Sequence, residues 1–156
     1  MNKKLFIYVF SLSLFFLNNC GFSPKYAGYI TTNFIIVIEK IDGDRDFNNL
    51  IKSKLRRYQN NENTKLQKFN IDINSEYKKI TVARNTKGDA TKYDLQITAT
   101  FTISGNNTKR VVKFDENFKI DKIEDTVEEN NYIRIIKGNF AESISEKLIL
   151  YIQQNK

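Results

Sequence analysis

Cys20 is the only cysteine in the 156 residues, and there is no histidine. The chemistry open to this chain's own side chains is therefore narrow. A zinc site draws on several Cys or His ligands, and Ser/His/Asp or Cys/His nucleophile systems need an imidazole as base. A lone thiol cannot close an internal disulfide, so an exported domain of this kind must be held by packing alone. What remains for Cys20 is a role as a point of covalent attachment. Two groups of charged residues complete the inventory. Arg84, Lys87 and Lys92 share one polar connection, and Lys122 precedes the last helical segment, so a suitable fold gathers the four at one end; exposed loop cations are as often only a solvated surface. Asp121, Glu124 and Asp125 are the residue types of a paired-carboxylate hydrolase. The same cluster is equally at home at a helix start, where it complements the dipole. The chain is read as non-enzymatic, with no cofactor and no metal.

The setting of Cys20 decides where these groups work. Residues 1–20 read MNKKLFIYVFSLSLFFLNNC: Lys3 and Lys4 form a positive head, and residues 5–17 are apolar except for Ser11 and Ser13. A transmembrane helix needs about 20 apolar residues, so this run is short for a span and suits the apolar region of an export signal. Ending in Cys20-Gly21, it resembles a bacterial lipoprotein signal in which Cys20 becomes the lipidated first residue. The usual box has two small residues between Leu and Cys, where this chain has Asn18 and Asn19. The expected organisation is a signal at 1–19, a lipidated tether at 20–33 and a single domain at 34–156. Formal net charge is +7; the first 19 residues hold two lysines and no acid, so the remainder stays basic. Basic character fits nucleic acid, anionic lipid or acidic glycolipid, and export argues against the first.

The elements that must position these residues follow from periodicity. Residues 34–38 are continuously apolar, as in a strand buried on both sides or in mid-sheet. Asp44 or Asp46 then caps a helix over 47–60, whose Phe47, Leu50, Ile51, Leu55 and Tyr58 make one apolar stripe. Phe69, Ile71 and Ile73 alternate as in a strand, and the phase then moves to Ile80 and Val82, which predicts a bulge near 77–79. A polar connection over 83–92 leads to the clearest strand, 93–104. There Tyr93, Leu95, Ile97, Ala99, Phe101 and Ile103 alternate with a threonine-rich set. Gly105-Asn106-Asn107 turns the chain into a return strand marked by Val112, Phe114, Phe118 and Ile120. Thr126 and Glu129 read as a capping box. Behind them Ile133, Ile136, Phe140, Ile144, Leu148 and Ile152 form a second helical stripe, which Gly138-Asn139 interrupts. The order predicts an α+β two-layer sandwich, β-α-β-β-β-α, with a four-stranded, mainly antiparallel sheet and two helices on one face.

Cys20-Gly21-Phe22-Ser23-Pro24-Lys25-Tyr26 resembles the start of the LptE family of lipopolysaccharide-assembly lipoproteins. Residues 47–58 look like that family's first helix, and Gly88-Asp89-Ala90-Thr91-Lys92-Tyr93-Asp94-Leu95 resembles its entry into a long strand. The resemblance implies a protein lipid-anchored at the periplasmic face of the outer membrane. Such a protein plugs an LptD-type β-barrel and helps deliver lipopolysaccharide to the outer leaflet. It also implies that Arg84, which with Asn85 resembles an Arg-Asn pair ahead of the family's long strand, and Lys122 meet the phosphates of the glycolipid; Lys87 and Lys92 join them as candidates by sharing the connection with Arg84. The alternative is a periplasmic adaptor or pilotin-like lipoprotein docking another envelope machine, since a small sandwich on a tether is a generic binding module. A nucleic-acid binder is not expected, because Tyr93 and Phe101 belong to the apolar face that the helices cover.

Overall fold

The computed structural model describes residues 33–59, 66–105 and 108–155. The expected signal, most of the tether and Cys20 lie outside them. In chain order the elements are β1 (Phe34–Gly43), α1 (Arg45–Leu55), a 3-10 turn (Arg56–Tyr58), β2 (Gln67–Arg84), β3 (Ala90–Gly105), β4 (Thr108–Asp121) and α2 (Thr126–Gln154). The α+β expectation holds. One sheet runs in the order β1-β2-β3-β4, with β1 parallel to β2 and the other neighbours antiparallel. The single parallel step follows from α1, which carries the chain back across the sheet face before β2 begins.

Alternation in β3 is what builds the two layers. Leu95, Ile97, Ala99 and Phe101 are almost wholly buried, with Ile71 and Ile73 of β2 beside them on the same face. Phe47, Ile51 and Leu55 of α1 and Ile136, Phe140, Ile144 and Leu148 of α2 join the same core. Gln96, Thr98, Thr100 and Thr102 occupy the other face and are half-buried between neighbouring strands. No described helix covers that face. α2 runs unbroken through Gly138, where an added Cβ would meet open space.

Four expectations are corrected. The first strand is not in mid-sheet: β1 is an edge, buried at Phe34, Ile35 and Ile36 and exposed from Val37 onward apart from half-buried Ile38. Its apolar run packs at one end of the sandwich, where Phe34 stacks on Tyr58 and meets Phe69 edge-on. No bulge occurs at 77–79, because the β2–β3 register passes evenly through Tyr77, Lys78 and Lys79 and shifts only between Thr81 and Arg84. The phase change arises because Ile80 and Val82 point outward, 41% and 46% exposed, while Tyr77 and Lys79 continue the helix-facing row. The cap of α2 is Asp125, whose Oδ1 accepts from Val127 N–H at 2.7 Å and Glu128 N–H at 3.0 Å. Glu129 turns inward instead of back to Thr126. Finally, α1 begins two residues early on Asp44, which accepts from Phe47 N–H at 2.7 Å, and it tightens into the 3-10 turn after Leu55.

Candidate functional site

The four sequence-selected cations do meet at one end. β2 and β3 run on past the helices as a hairpin whose turn is 85–89, shorter than the polar connection expected from the sequence. Asn85 organises that turn. Its Oδ1 accepts from the N–H groups of Lys87 and Asp89, both at 2.9 Å, and its Nδ2 donates to Asp89 Oδ2 at 3.1 Å. Gly88 supplies the positive φ of 90° that closes it, and Arg84 Nη1 donates to the Gly88 carbonyl at 2.7 Å. An Asx-type turn of this kind satisfies its own backbone and leaves Lys87 exposed.

Lys92 and Lys122 reach the same end through backbone pairing. Lys92 lies opposite both Ala83 and Asp121 in the sheet, and Lys122 N–H donates to the Thr91 carbonyl at 2.8 Å. The connection from β4 to α2 is pinned from inside. Glu129 accepts from Lys79 and from Ile123 N–H, and Lys79 Nζ also sits 3.8 Å from the Tyr93 ring centroid. The hydrogen bond from Lys79 holds the Glu129 carboxyl below its ordinary value against the opposing effect of burial, and Ile123 N–H and the nearby Lys122 charge act in the same direction. Beside this pair, Lys137 reaches Asp44 at 3.6 Å and stands over the Tyr77 ring at 3.8 Å. Burial pushes the Tyr77 phenol up, and the carboxylates of Asp44 and Glu129 add to that. The part-buried bonds of Glu129 to Lys79 and to Ile123 N–H fix the connection that carries Lys122.

The end is mixed rather than purely cationic. Asp121 pairs with Lys92 at 3.2 Å, and Asp89 belongs to the turn. The acidic group at 121–125 is divided between that ion pair and the α2 cap. Two residues of this end were not selected from the sequence, Ile80 and Val82, whose exposure gives the hairpin an apolar stretch next to Arg84. The phase change in the alternation was their signal. A cavity of about 500 Å³ lies elsewhere, between the N-terminal halves of the helices, lined by Asp46, Asn49, Leu50, Ile133, Arg134 and Lys137 among others; it holds none of the four cations.

On the opposite face of the sheet, β2 to β4 present a broad polar surface. Thr98 donates to Asp115, and that hydrogen bond, aided by Lys113, holds the Asp115 carboxyl below its ordinary value. Amides, hydroxyls and charges there offer many hydrogen bonds and few apolar contacts.

No family model matches the chain, and no curated protein matches it. Among solved structures the chain is similar to rare lipoprotein B from Shewanella oneidensis, with a TM-score of 0.56 at 7% identity, covering 76% of this chain and 96% of that one. A minor lipoprotein from Acinetobacter baumannii aligns at 14% identity over 72% of this chain and 93% of that one, but its TM-score of 0.43 carries no argument. At these identities the likeness concerns architecture alone: this chain and rare lipoprotein B share one fold.

Proposed function

We propose that this protein is an envelope lipoprotein anchored through Cys20 at the periplasmic face of the outer membrane. There it seats in an LptD-type β-barrel and helps deliver lipopolysaccharide. The observation that carries the reading is the shared fold with rare lipoprotein B over 96% of that chain. It is joined here to a lone cysteine directly behind an export-type apolar run. A domain held inside a barrel needs an extended hydrogen-bonding surface, and the sheet face left bare by the described helices is one. Lipopolysaccharide is phosphorylated and acylated. The hairpin end offers Arg84, Lys87, Lys92 and Lys122 for phosphate, with Ile80 and Val82 for an apolar neighbour.

Affinity purification of the full chain from envelope membranes tests the proposal. An LptD-type barrel is expected to copurify. Recovery of a different secretion or assembly machine in its place would overturn the barrel role in favour of an adaptor. Intact-mass detection of an unacylated Cys20, or of a retained Met1, would remove the anchor.

A further inference from the structure

Charge is distributed unevenly along the sandwich. At the end where the chain enters β1, the Phe34 ring lies 6.4 Å from that of Tyr58 and 5.8 Å from that of Phe69. Ile35 pairs with Lys68. Across the sheet, Ser104 pairs with Lys109 and Ile103 with Arg110. An added Cβ on Gly105 would stand 2.8 Å from the Phe69 ring, so the β3–β4 turn abuts the start of β2. Arg110 Nη1 donates to the Asn155 carbonyl at 2.9 Å, which brings the end of α2 to the same place. Arg56, Arg57, Lys68, Lys109 and Arg110 thus surround the point of chain entry, and all five are exposed.

No described residue among 33–34, 56–59, 66–69, 103–110 and 151–155 is acidic. Glu142 stands 4.0 Å from Arg57 and is already held by Lys54 at 2.5 Å. The hairpin end contrasts with this, because Asp89, Asp121, Glu124 and Asp125 are interleaved with its cations. Among the described residues both ends carry cations, and only the entry end has no acidic residue interleaved with them.

We infer that this basic end is a docking face for an anionic phospholipid surface, the one into which the chain's own N-terminal segment inserts. The inference rests on the membrane tie proposed above and is independent of the barrel and glycolipid roles. The apolar run at 5–17 and Cys20 both lie upstream of Phe34. Cys20 is 14 positions before it, a reach of at most about 50 Å even when fully extended. Whether the tie is a lipid on Cys20 or the apolar run itself, it leaves the entry end within reach of the headgroups. An acyl anchor and a basic patch are the two signals that together give stable membrane attachment. Each cation near an anionic surface is worth about a fivefold gain in partition.

The test is amine-directed labelling of the full chain reconstituted in vesicles, of phosphatidylcholine alone or with phosphatidylglycerol replacing part of it, read lysine by lysine by mass spectrometry. Lys68 and Lys109 are expected to label at least about fivefold more slowly on the anionic vesicles, that factor being the gain from one cation alone. Lys87, Lys92 and Lys122 are expected to label equally on both. The protection is expected to vanish at 1 M salt, where the screening length is about 3 Å, and in the variant Arg56→Glu/Lys109→Glu, read at Lys68. Equal labelling of Lys68 on both vesicle types would overturn the inference, as would protection of the hairpin lysines instead. A chain that associates with neither vesicle would remove the membrane tie itself, a failure separable from a domain that is tied but not docked.

Discussion

Gly43 and Gly88 provide a matched pair of perturbations. Their φ angles are nearly equal, +93° and +90°, so replacement by alanine imposes the same kind of backbone strain at both, about 1–2 kcal/mol. The narrower freedom of alanine in the unfolded chain returns about 0.4–1 kcal/mol. At Gly88 the new methyl meets nothing within 4 Å, so Gly88→Ala should destabilise by about 1 kcal/mol. At Gly43 the methyl would stand 1.9 Å from the Ser75 carbonyl oxygen and under 3 Å from two more atoms of that backbone. Ser75 cannot give way, because it lies in mid-strand with Gly43 on one side and Ala99 on the other.

The end of β1 must therefore move, and it carries contacts with it. Asp44 N–H donates to the Ser75 carbonyl at 2.9 Å, Asn48 Nδ2 donates to the Asp42 carbonyl at 2.8 Å, and Ser75 Oγ donates to Asn48 Oδ1 at 2.8 Å. Three hydrogen bonds at about 1 kcal/mol each bring the expected loss for Gly43→Ala to about 4 kcal/mol. Urea melts followed by circular dichroism measure both variants. The difference of about 3 kcal/mol between them isolates the steric part. Values within about 0.5 kcal/mol of each other would refute the close approach of β1 to Ser75.

The two sheet faces make a second comparison: Phe101→Ala should cost about 3–5 kcal/mol and Thr100→Ala about 0.5 kcal/mol or less, and a thermal melt with the reverse order would mean that the faces are exchanged. Acid should destabilise the fold through Glu129 and Glu116. Hydrogen bonds from Lys147 and Ser143 lower the Glu116 carboxyl although burial, the largest single influence, opposes them. Both groups therefore titrate below their ordinary value of 4.5 in the folded state. The stability they contribute is complete above that value and is lost as pH falls through the folded values. Urea midpoints measured against pH should show the loss, and Glu116→Gln with Glu129→Gln should flatten it. At the hairpin end, Arg84→Asp with Lys122→Asp should weaken binding of purified lipopolysaccharide while leaving the melt unchanged. Salt should reproduce the loss in the wild type, since exposed charges are screened over about 10 Å at 0.1 M; equal affinity in wild type and variant across a salt series would reduce the four cations to a solvated surface.

Much of this protein was legible in its residue order because the relevant forces are local. The alternation of β3 assigns its faces by itself, since side chains of a strand must point to opposite sides. The stripes of α1 and α2 do the same at helical spacing, and together with the element order they give the two-layer architecture. Cys20, the absence of histidine and the export-type run are matters of composition and position that no fold changes. What the residue order left undecided was settled by contacts between segments far apart in the chain. β1 is an edge because α1 returns the chain to pair on one side of it only, and no property of FIIVI announces that. Ile80 and Val82 read as a slipped register when seen alone. In the sheet Ile80 is an outward residue of an even register and Val82 lies outward at the shift between Thr81 and Ala83, while Lys79 finds Glu129 fifty positions away and its stem can occupy the helix-facing row. For the same reason Glu129 leaves the cap to Asp125. The contrast between the two ends is likewise invisible along the chain, where cations and anions intermix throughout. It emerges only when strand pairing brings Lys68, Lys109 and Arg110 together with Arg56 and Arg57, because charge acts through space over about a Debye length and takes no account of sequence distance.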